Sequence, residues 1–158
     1  MSRAPYARPA FSLVELVLVL AIMGVLAAVA APKYASSLAN YRVKLAAHRI
    51  ASDVALTQAA AKAASASRAI TFDTTNHRYS VAGLPALDGR SGGYTVALSA
   101  QPYGVSINTL TLTKVAANGA LTFDGFGVPD GGATVVVSYG GASRTVLVDA
   151  VTGAVTVK

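Results

Sequence analysis

The chain has 158 residues, room for about one domain and an appendage. Hydrophobic residues make up 53% and charged residues 13%, an apolar balance for a water-soluble domain. Cysteine is absent, which excludes a disulfide framework, thiolate chemistry, and Cys-ligated zinc or iron–sulfur sites, and the formal charge of +6 is unevenly placed.

At the N-terminus, Arg3 and Arg8 stand without an acid beside them, directly before an apolar run. By the positive-inside rule this keeps the N-terminus cytoplasmic and sends the C-terminal bulk across the membrane. The run covers residues 11–31 and carries no charge after Glu15. Its length suits a helix crossing a hydrocarbon core, which takes about 20 residues. Two other readings compete. Ala28-Val29-Ala30 has the small-x-small form of a signal-peptide cleavage site, but Glu15 interrupts the apolar region and Pro32 crowds the cut. A buried helix of a soluble protein rarely runs this long without a polar face. The run is read as an anchor, and Glu15 within it is a functional hypothesis, because an acid at mid-membrane costs about 2.5–3.5 kcal/mol on insertion scales.

Residues 33–67 stay helical in character, being Ala-rich with no Gly and no further Pro. Val43, Ala47, Ile50, Val54 and Ala61 recur at spacings of three, four and seven, which makes one apolar stripe. Arg42 and Arg49 share another face, and Asp53 stands one turn beyond Arg49, where it can pair with it. A second basic group accumulates here: Lys33, Arg42, Lys44, Arg49, Lys62 and Arg68 against Asp53. One helix is therefore expected to begin in the membrane and continue into solvent, on the order of 80 Å long at 1.5 Å per residue. Pro32 removes a backbone hydrogen bond and Gly24 is a soft point, so a bend is expected at these two positions.

From residue 68 the period changes to two. Residues 69–73 and 77–81 alternate around Thr74-Thr75-Asn76, a hairpin signal. Residues 94–99, 109–115 and 120–124 read likewise. Residues 134–139 and 144–149 flank Gly140-Gly141-Ala142-Ser143, and Val151-Thr152-Gly153 turns into 154–157. Short strands at this spacing predict an antiparallel sheet or sandwich. The expected class is α+β: a long N-terminal helix, membrane-spanning in its first half, packed through its stripe on a C-terminal antiparallel β-sheet or sandwich.

Residues 1–32 and the C-terminal pattern also carry a resemblance. Ala10-Phe11-Ser12-Leu13-Val14-Glu15-Leu16, behind a short basic leader, resembles the type IV prepilin processing motif, with Gly24 and Pro32 where pilins carry a helix glycine and proline. That family usually has Gly before the cut, where Ala10 stands here. Leu121-Thr122-Phe123-Asp124 with Gly125 and Gly127, a Val-rich hairpin, and terminal Thr152-Gly153-Ala154-Val155-Thr156-Val157 are similar, more loosely, to minor pseudopilins of the GspH/FimT class. Major pilins often staple this region with cysteines, and this chain has none. The resemblance implies 1–10 as leader, 11–32 as the membrane and assembly half of the helix, 33–67 as its soluble half, and 68–158 as the globular domain. It implies cleavage by a prepilin peptidase between Ala10 and Phe11 and N-methylation of Phe11. It also implies partners among sibling pseudopilins or pilins in a hetero-oligomeric filament, and a single-pass protein of the bacterial inner membrane with its C-terminal domain periplasmic. The expected role is a minor pseudopilin of type II secretion, with a minor type IV pilin in pilus assembly or DNA uptake as the alternative. Physically, cleavage would give Phe11 a buried amine, and Glu15 of a neighbouring helix can pair with it, so two costly charges become one bonded pair.

Catalytic and ligand-binding signals are weak, and neither an enzyme nor a cofactor is expected. His48 and His77 lie far apart in sequence and read as solvated residues, so no metal site is expected there. Asp124 and Asp130 frame Gly125-Phe126-Gly127-Val128-Pro129, which has too few acids for a calcium shell. For nucleic acid, Arg90, Lys114, Arg144 and Lys158 could converge. Residues 68–158, however, hold six bases against five acids, too small an excess for a strong phosphate footprint.

Overall fold

The computed structural model describes residues 11–86, 93–113 and 119–158. The chain divides into two compact units, Met1–Ala35 and Ser36–Lys158. Among the described residues there are one helix, α1 (Leu13–Ala64), and eight strands: β1 (Arg68–Asp73), β2 (Arg78–Pro85), β3 (Gly93–Ala97), β4 (Ser106–Leu112), β5 (Ala120–Phe123), β6 (Ala133–Tyr139), β7 (Ala142–Val148) and β8 (Val155–Val157).

In the first unit, residues 11–35 are all exposed. An 18-residue window of this helix has a mean hydropathy of 2.8 and none of it is buried within the chain. Length and composition make it a candidate membrane span. Gly24 and Pro32 both lie inside the helical segment.

The second unit is a folded α+β body. Its strands form two four-stranded antiparallel sheets, ordered β3-β2-β1-β5 and β4-β6-β7-β8. Alternation turns Ile70, Phe72, Tyr79, Val81, Tyr94, Val96, Leu121 and Phe123 of the first sheet inward. Register then aligns them, with Ile70 opposite both Val81 and Leu121. Ile107, Val135, Val137, Val146 and Val148 do the same in the second sheet. The helix stripe (Val43, Ala47, Ile50, Val54 and Ala61, each fully buried) joins both inner faces in one core. The period-3.6 and period-2 patterns therefore both point at this core, as expected.

Several boundaries differ from expectation. The helix ends at Ala64, not at 67, because Ser65 takes a left-handed φ of 47°. The Ser65 N–H then bonds to the Lys62 carbonyl and the Ala66 N–H to the Ala61 carbonyl, which is a Schellman cap with serine where glycine is usual. Gly125 makes room for this end, since a Cβ there would lie 2.7 Å from the Ser65 carbonyl carbon. Strand β4 begins at Ser106, not 109, because its early residues pair with the end of β6, Ser106 opposite Ser138. The expected 109–115 strand ends at Leu112, and residues 114–118 lie outside the described set. Between β6 and β7 the loop is Gly140-Gly141 alone, with both φ positive (54° and 82°), as a two-residue hairpin needs. Ala142 and Ser143 are therefore strand residues. Finally β2 runs on to Pro85, past the expected 81, because Pro85 still pairs with Gly93 across an irregularity in the ladder.

Candidate assembly site

Phe11 and Glu15 stand at the start of the apolar half-helix, and Phe11 is 77% exposed. Ala10, the other residue of the expected cut, lies outside the described residues. Ser12 and Glu15 have the S-x-x-E spacing of a capping box, yet the bond seen there is from the Leu16 N–H to the Ser12 carbonyl, an ordinary first helical turn. Among the described residues Glu15 accepts no hydrogen bond and forms no ion pair. Its carboxylate stands on a helix whose side chains are apolar and exposed from Leu16 to Ala31, so nothing among the described residues of this unit compensates it.

The only other acid on the helix, Asp53, is in the opposite situation. It is 4% exposed and sits on the stripe itself, between Ile50 and Val54. Tyr79 donates its hydroxyl to Asp53 Oδ2 at 2.5 Å, and Tyr94 donates to Oδ1 at 2.7 Å. Arg49 Nε reaches Oδ2 at 3.0 Å, the expected one-turn pair, and Arg49 Nη2 also donates to the Tyr94 hydroxyl at 2.7 Å. Burial opposes the charge on Arg49, but the Asp53 carboxylate outweighs it and holds the guanidinium above its usual range. Burial, then the bond to Asp53, pushes the Tyr94 hydroxyl up to about 12 and Tyr79 further in the same direction. The sequence reading found the Arg49–Asp53 pair and missed both tyrosines. The available signal was an acid at an apolar-stripe position together with two tyrosines at inward positions of alternating strands.

Other contacts fix the same helix to both sheets. Arg42 lies 4.8 Å over the Tyr139 ring, and Gln58 Nε2 donates to the carbonyls of Gly127 and Thr152 at 2.8 and 2.9 Å. These are positioning contacts, and no reacting group stands among them.

The remaining candidates resolve individually. His77 is half-buried rather than solvated: its Nδ1 accepts the Ile107 N–H at 3.2 Å, which ties the β1–β2 hairpin to β4. His48 is exposed on the helix. Asp124 Oδ1 accepts the N–H groups of Phe126 and Val128, and Asp130 Oδ1 accepts that of Thr122, so both loop carboxylates serve as turn locks. Among the described residues no group of three or more His, Cys, Asp or Glu stands together. Of the four bases weighed for nucleic acid, Arg90 and Lys114 lie outside the described residues. Arg144 and Lys158 fall on the sheet of β7 and β8.

Residues 7–31 match the family described as the prokaryotic N-terminal methylation motif. No curated protein matches the chain in sequence. Among solved structures the chain is similar to the type IV minor pilin FimU of Pseudomonas aeruginosa (strain PAO1) in two crystal forms. In space group P65 the identity is 13%, with 73% of this chain and 91% of that chain covered at a TM-score of 0.51. In space group P21 it is 14%, with 73% and 87% covered at 0.49. The first of these likenesses establishes a shared fold and no more. The apolar helix and the methylation motif together fit a membrane-anchored chain. The chain thus carries the N-terminal methylation motif over residues 7–31, and its fold is one seen in a type IV minor pilin.

Proposed function

We propose that this chain is a minor structural subunit of a type IV pilin-like filament, held in the bacterial inner membrane with its N-terminus cytoplasmic and its β-rich unit periplasmic. The observation that carries the reading is the half-helix of residues 11–35, exposed throughout and bearing one uncompensated acid, Glu15. A lipid bilayer satisfies its apolar side chains, and a counter-charge from a neighbouring chain would satisfy Glu15. A prepilin peptidase would cut between Ala10 and Phe11, and methylation would follow on Phe11. The Phe11 amine of one chain then meets Glu15 of the next, which fixes the axial register of neighbours. Gly24 and Pro32 are where the helix yields to such packing. The role is structural rather than enzymatic.

Two systems use such subunits. The sequence pattern of the C-terminal region, of the GspH/FimT class, supports a pseudopilin of type II secretion. The fold likeness to a protein described as a type IV minor pilin supports the pilus alternative. Deletion separates them: loss of exported protein with pili intact marks the secretion role, and loss of pili or of DNA uptake marks the other.

Glu15→Ala tests the assembly mechanism. It makes the helix more apolar, so membrane insertion holds or improves, and the mature N-terminus stays at Phe11 by mass spectrometry. Co-purification with sibling subunits should fall steeply, because removing one partner of a buried pair costs about 3–5 kcal/mol. Glu15→Gln keeps the hydrogen-bonding shape and should fall between. Undiminished recovery with Glu15→Ala would show that Glu15 merely reaches to the headgroups. An N-terminus at Ala31 or Pro32 would instead return the chain to the signal-peptide reading.

A further inference from the structure

The outer face of the first sheet takes no part in the core, and its side chains leave a hollow. Alternation turns Thr71 and Asp73 of β1, Arg78 and Ser80 of β2, and Thr95 of β3 away from the buried Ile70, Phe72, Tyr79 and Tyr94. Around them the face is low: Ala120 stands opposite Thr71, and Ala97 opposite Arg78. Arg78 is the one long side chain in this group. The five residues, with Tyr79 behind them in the core, line a depression of about 330 Å³. That volume lies at the lower end of the roughly 300–1,000 Å³ of small-molecule sites.

Register organises the polar groups within it. Thr71 stands opposite Ser80, and Ser80 opposite Thr95, so three hydroxyls cross three strands in one row. At about 4.8 Å between strands the row spans about 10 Å. None of these hydroxyls makes a hydrogen bond among the described residues. In the neighbouring row Asp73 stands opposite Arg78, whose Nε donates to Asp73 Oδ2 at 3.1 Å. Asn76 fixes the same carboxylate with its N–H at 3.0 Å and its side-chain nitrogen at 2.7 Å. The Asn76 side chain, then its N–H and Arg78, hold Asp73 down to about 2, so it stays an acceptor at neutral pH. Both terminal nitrogens of Arg78 make no bond among the described residues. A fixed acceptor therefore stands beside a fixed donor, next to three hydroxyls that can serve as either.

These groups select a ligand chemistry. Asp73 offsets the charge of Arg78, so an anion gains little here. The described lining presents no exposed aromatic or large aliphatic side chain, so a lipid or an apolar peptide gains little either. A sugar ring carries adjacent hydroxyls, each a donor and an acceptor at once, which is the pattern this floor complements. We propose that the outer face of the first sheet binds a neutral saccharide. Asp73 accepts from one ring hydroxyl and Arg78 donates to its neighbour, while the Thr71–Ser80–Thr95 row bonds along the chain of rings. A few solvent-exposed hydrogen bonds without an aromatic platform make the site weak, of about millimolar affinity. Repeated units along a glycan strand raise its occupancy without any new contact. If the β-rich unit is periplasmic, as proposed above, the saccharide is one met outside the inner membrane.

The test uses the full-length chain in phosphatidylcholine nanodiscs, which avoids sugar-based detergents. Saturation-transfer difference NMR is recorded with chitotriose, maltotriose and cellotriose as probes, and with empty nanodiscs as the control. At least one trisaccharide should receive saturation from the chain, with a millimolar Kd that is the same at low and high salt. Ser80→Leu fills the middle of the depression and should abolish the transfer. Thr95→Val removes one hydroxyl at an exposed strand position that suits valine, and should weaken binding about three- to tenfold. Unchanged thermal unfolding shows that the sheet is intact in both variants. Transfer to none of the three probes overturns the proposal. So does transfer that survives Ser80→Leu, which puts the sugar elsewhere on the chain. Tighter, salt-sensitive binding of inorganic phosphate or polygalacturonate overturns it too, because the depression is then an anion site. Binding is read on the chain alone, so its failure leaves the filament role standing, and failure of that role leaves the sugar result intact.

Discussion

The two halves of α1 are made of similar residues in the same backbone conformation, yet they solve opposite problems. Residues 36–64 find their partner in their own chain: every third or fourth side chain enters a core shared with two sheets, and the acid on that stripe, Asp53, is held by three donors. The side chains of residues 11–35 are all exposed, and among the described residues their acid, Glu15, has no hydrogen bond or ion pair. Burial is therefore a property of what a helix faces. The first half, apolar and exposed throughout, fits a membrane anchor, and the contact with neighbouring chains is the part proposed above.

The sharpest way to break this comparison is one truncation made in each half. Ile50→Ala removes a fully buried side chain and should lower the stability of the β-rich unit by about 3 kcal/mol, read by urea titration of tyrosine fluorescence. Leu20→Ala, on a residue 59% exposed, should leave that midpoint in place. Equal shifts would mean that the two halves share one stability.

The two acids give the next contrast. Asp53→Ala leaves the buried Tyr79 hydroxyl, the Tyr94 hydroxyl and Arg49 without their acceptor, a loss of about 2 kcal/mol after allowing that Arg49 is partly hydrated. Asp53→Asn retains an acceptor and should cost less. Glu15→Ala should not move the unfolding midpoint at all, although under the proposed function it should weaken assembly. If Glu15→Ala unfolded the β-rich unit, the contrast between the two acids would fail.

Titration sharpens the picture of the second unit alone. The Tyr94 hydroxyl is raised to about 12 by burial and then by Asp53, whereas an unfolded tyrosine ionises near 10. A raised pKa gives stability that is full below about pH 10 and is lost as pH rises toward 12. Unfolding midpoints at pH 8, 10 and 11.5 should fall along this window, and less steeply in Tyr94→Phe, with Tyr79 maintaining part of the slope. The smallest effect is on the acid side. Asp73 is lowered to about 2, chiefly by the Asn76 side chain, then by the Asn76 N–H and Arg78. A lowered pKa gives stability present above about pH 4 and lost as pH falls through about 2. Asp73→Asn should flatten that acid slope slightly, because the group is solvent-exposed.

Much of the architecture could be read from residues close together in the chain. The stripe of Val43, Ala47, Ile50, Val54 and Ala61 and the alternation of the strands both survive in the structure, because a helix or strand fixes which neighbours share a face. The helix end was overshot because Ser65 carries the left-handed cap without a glycine to announce it. The motif around Phe11 and Glu15 was legible, and the structure adds that Glu15 has no hydrogen bond or ion pair among the described residues. The Asp53 network was half legible: Arg49 is one turn away, whereas Tyr79 and Tyr94 are 26 and 41 residues distant.

By itself, then, the sequence determined the apolar run with its single acid, the switch from helical to strand periodicity near residue 68, and the faces that seek burial. Each of these comes from local geometry and the solvation of individual side chains. Only the tertiary structure decided that β5 leaves its neighbours in sequence to pair with β1, that β4 joins β6, and that Asp53 is buried beneath two tyrosines while Glu15 is left bare. Those outcomes depend on which distant segments can close on one another and satisfy each polar group they desolvate, a balance that no single stretch of chain contains.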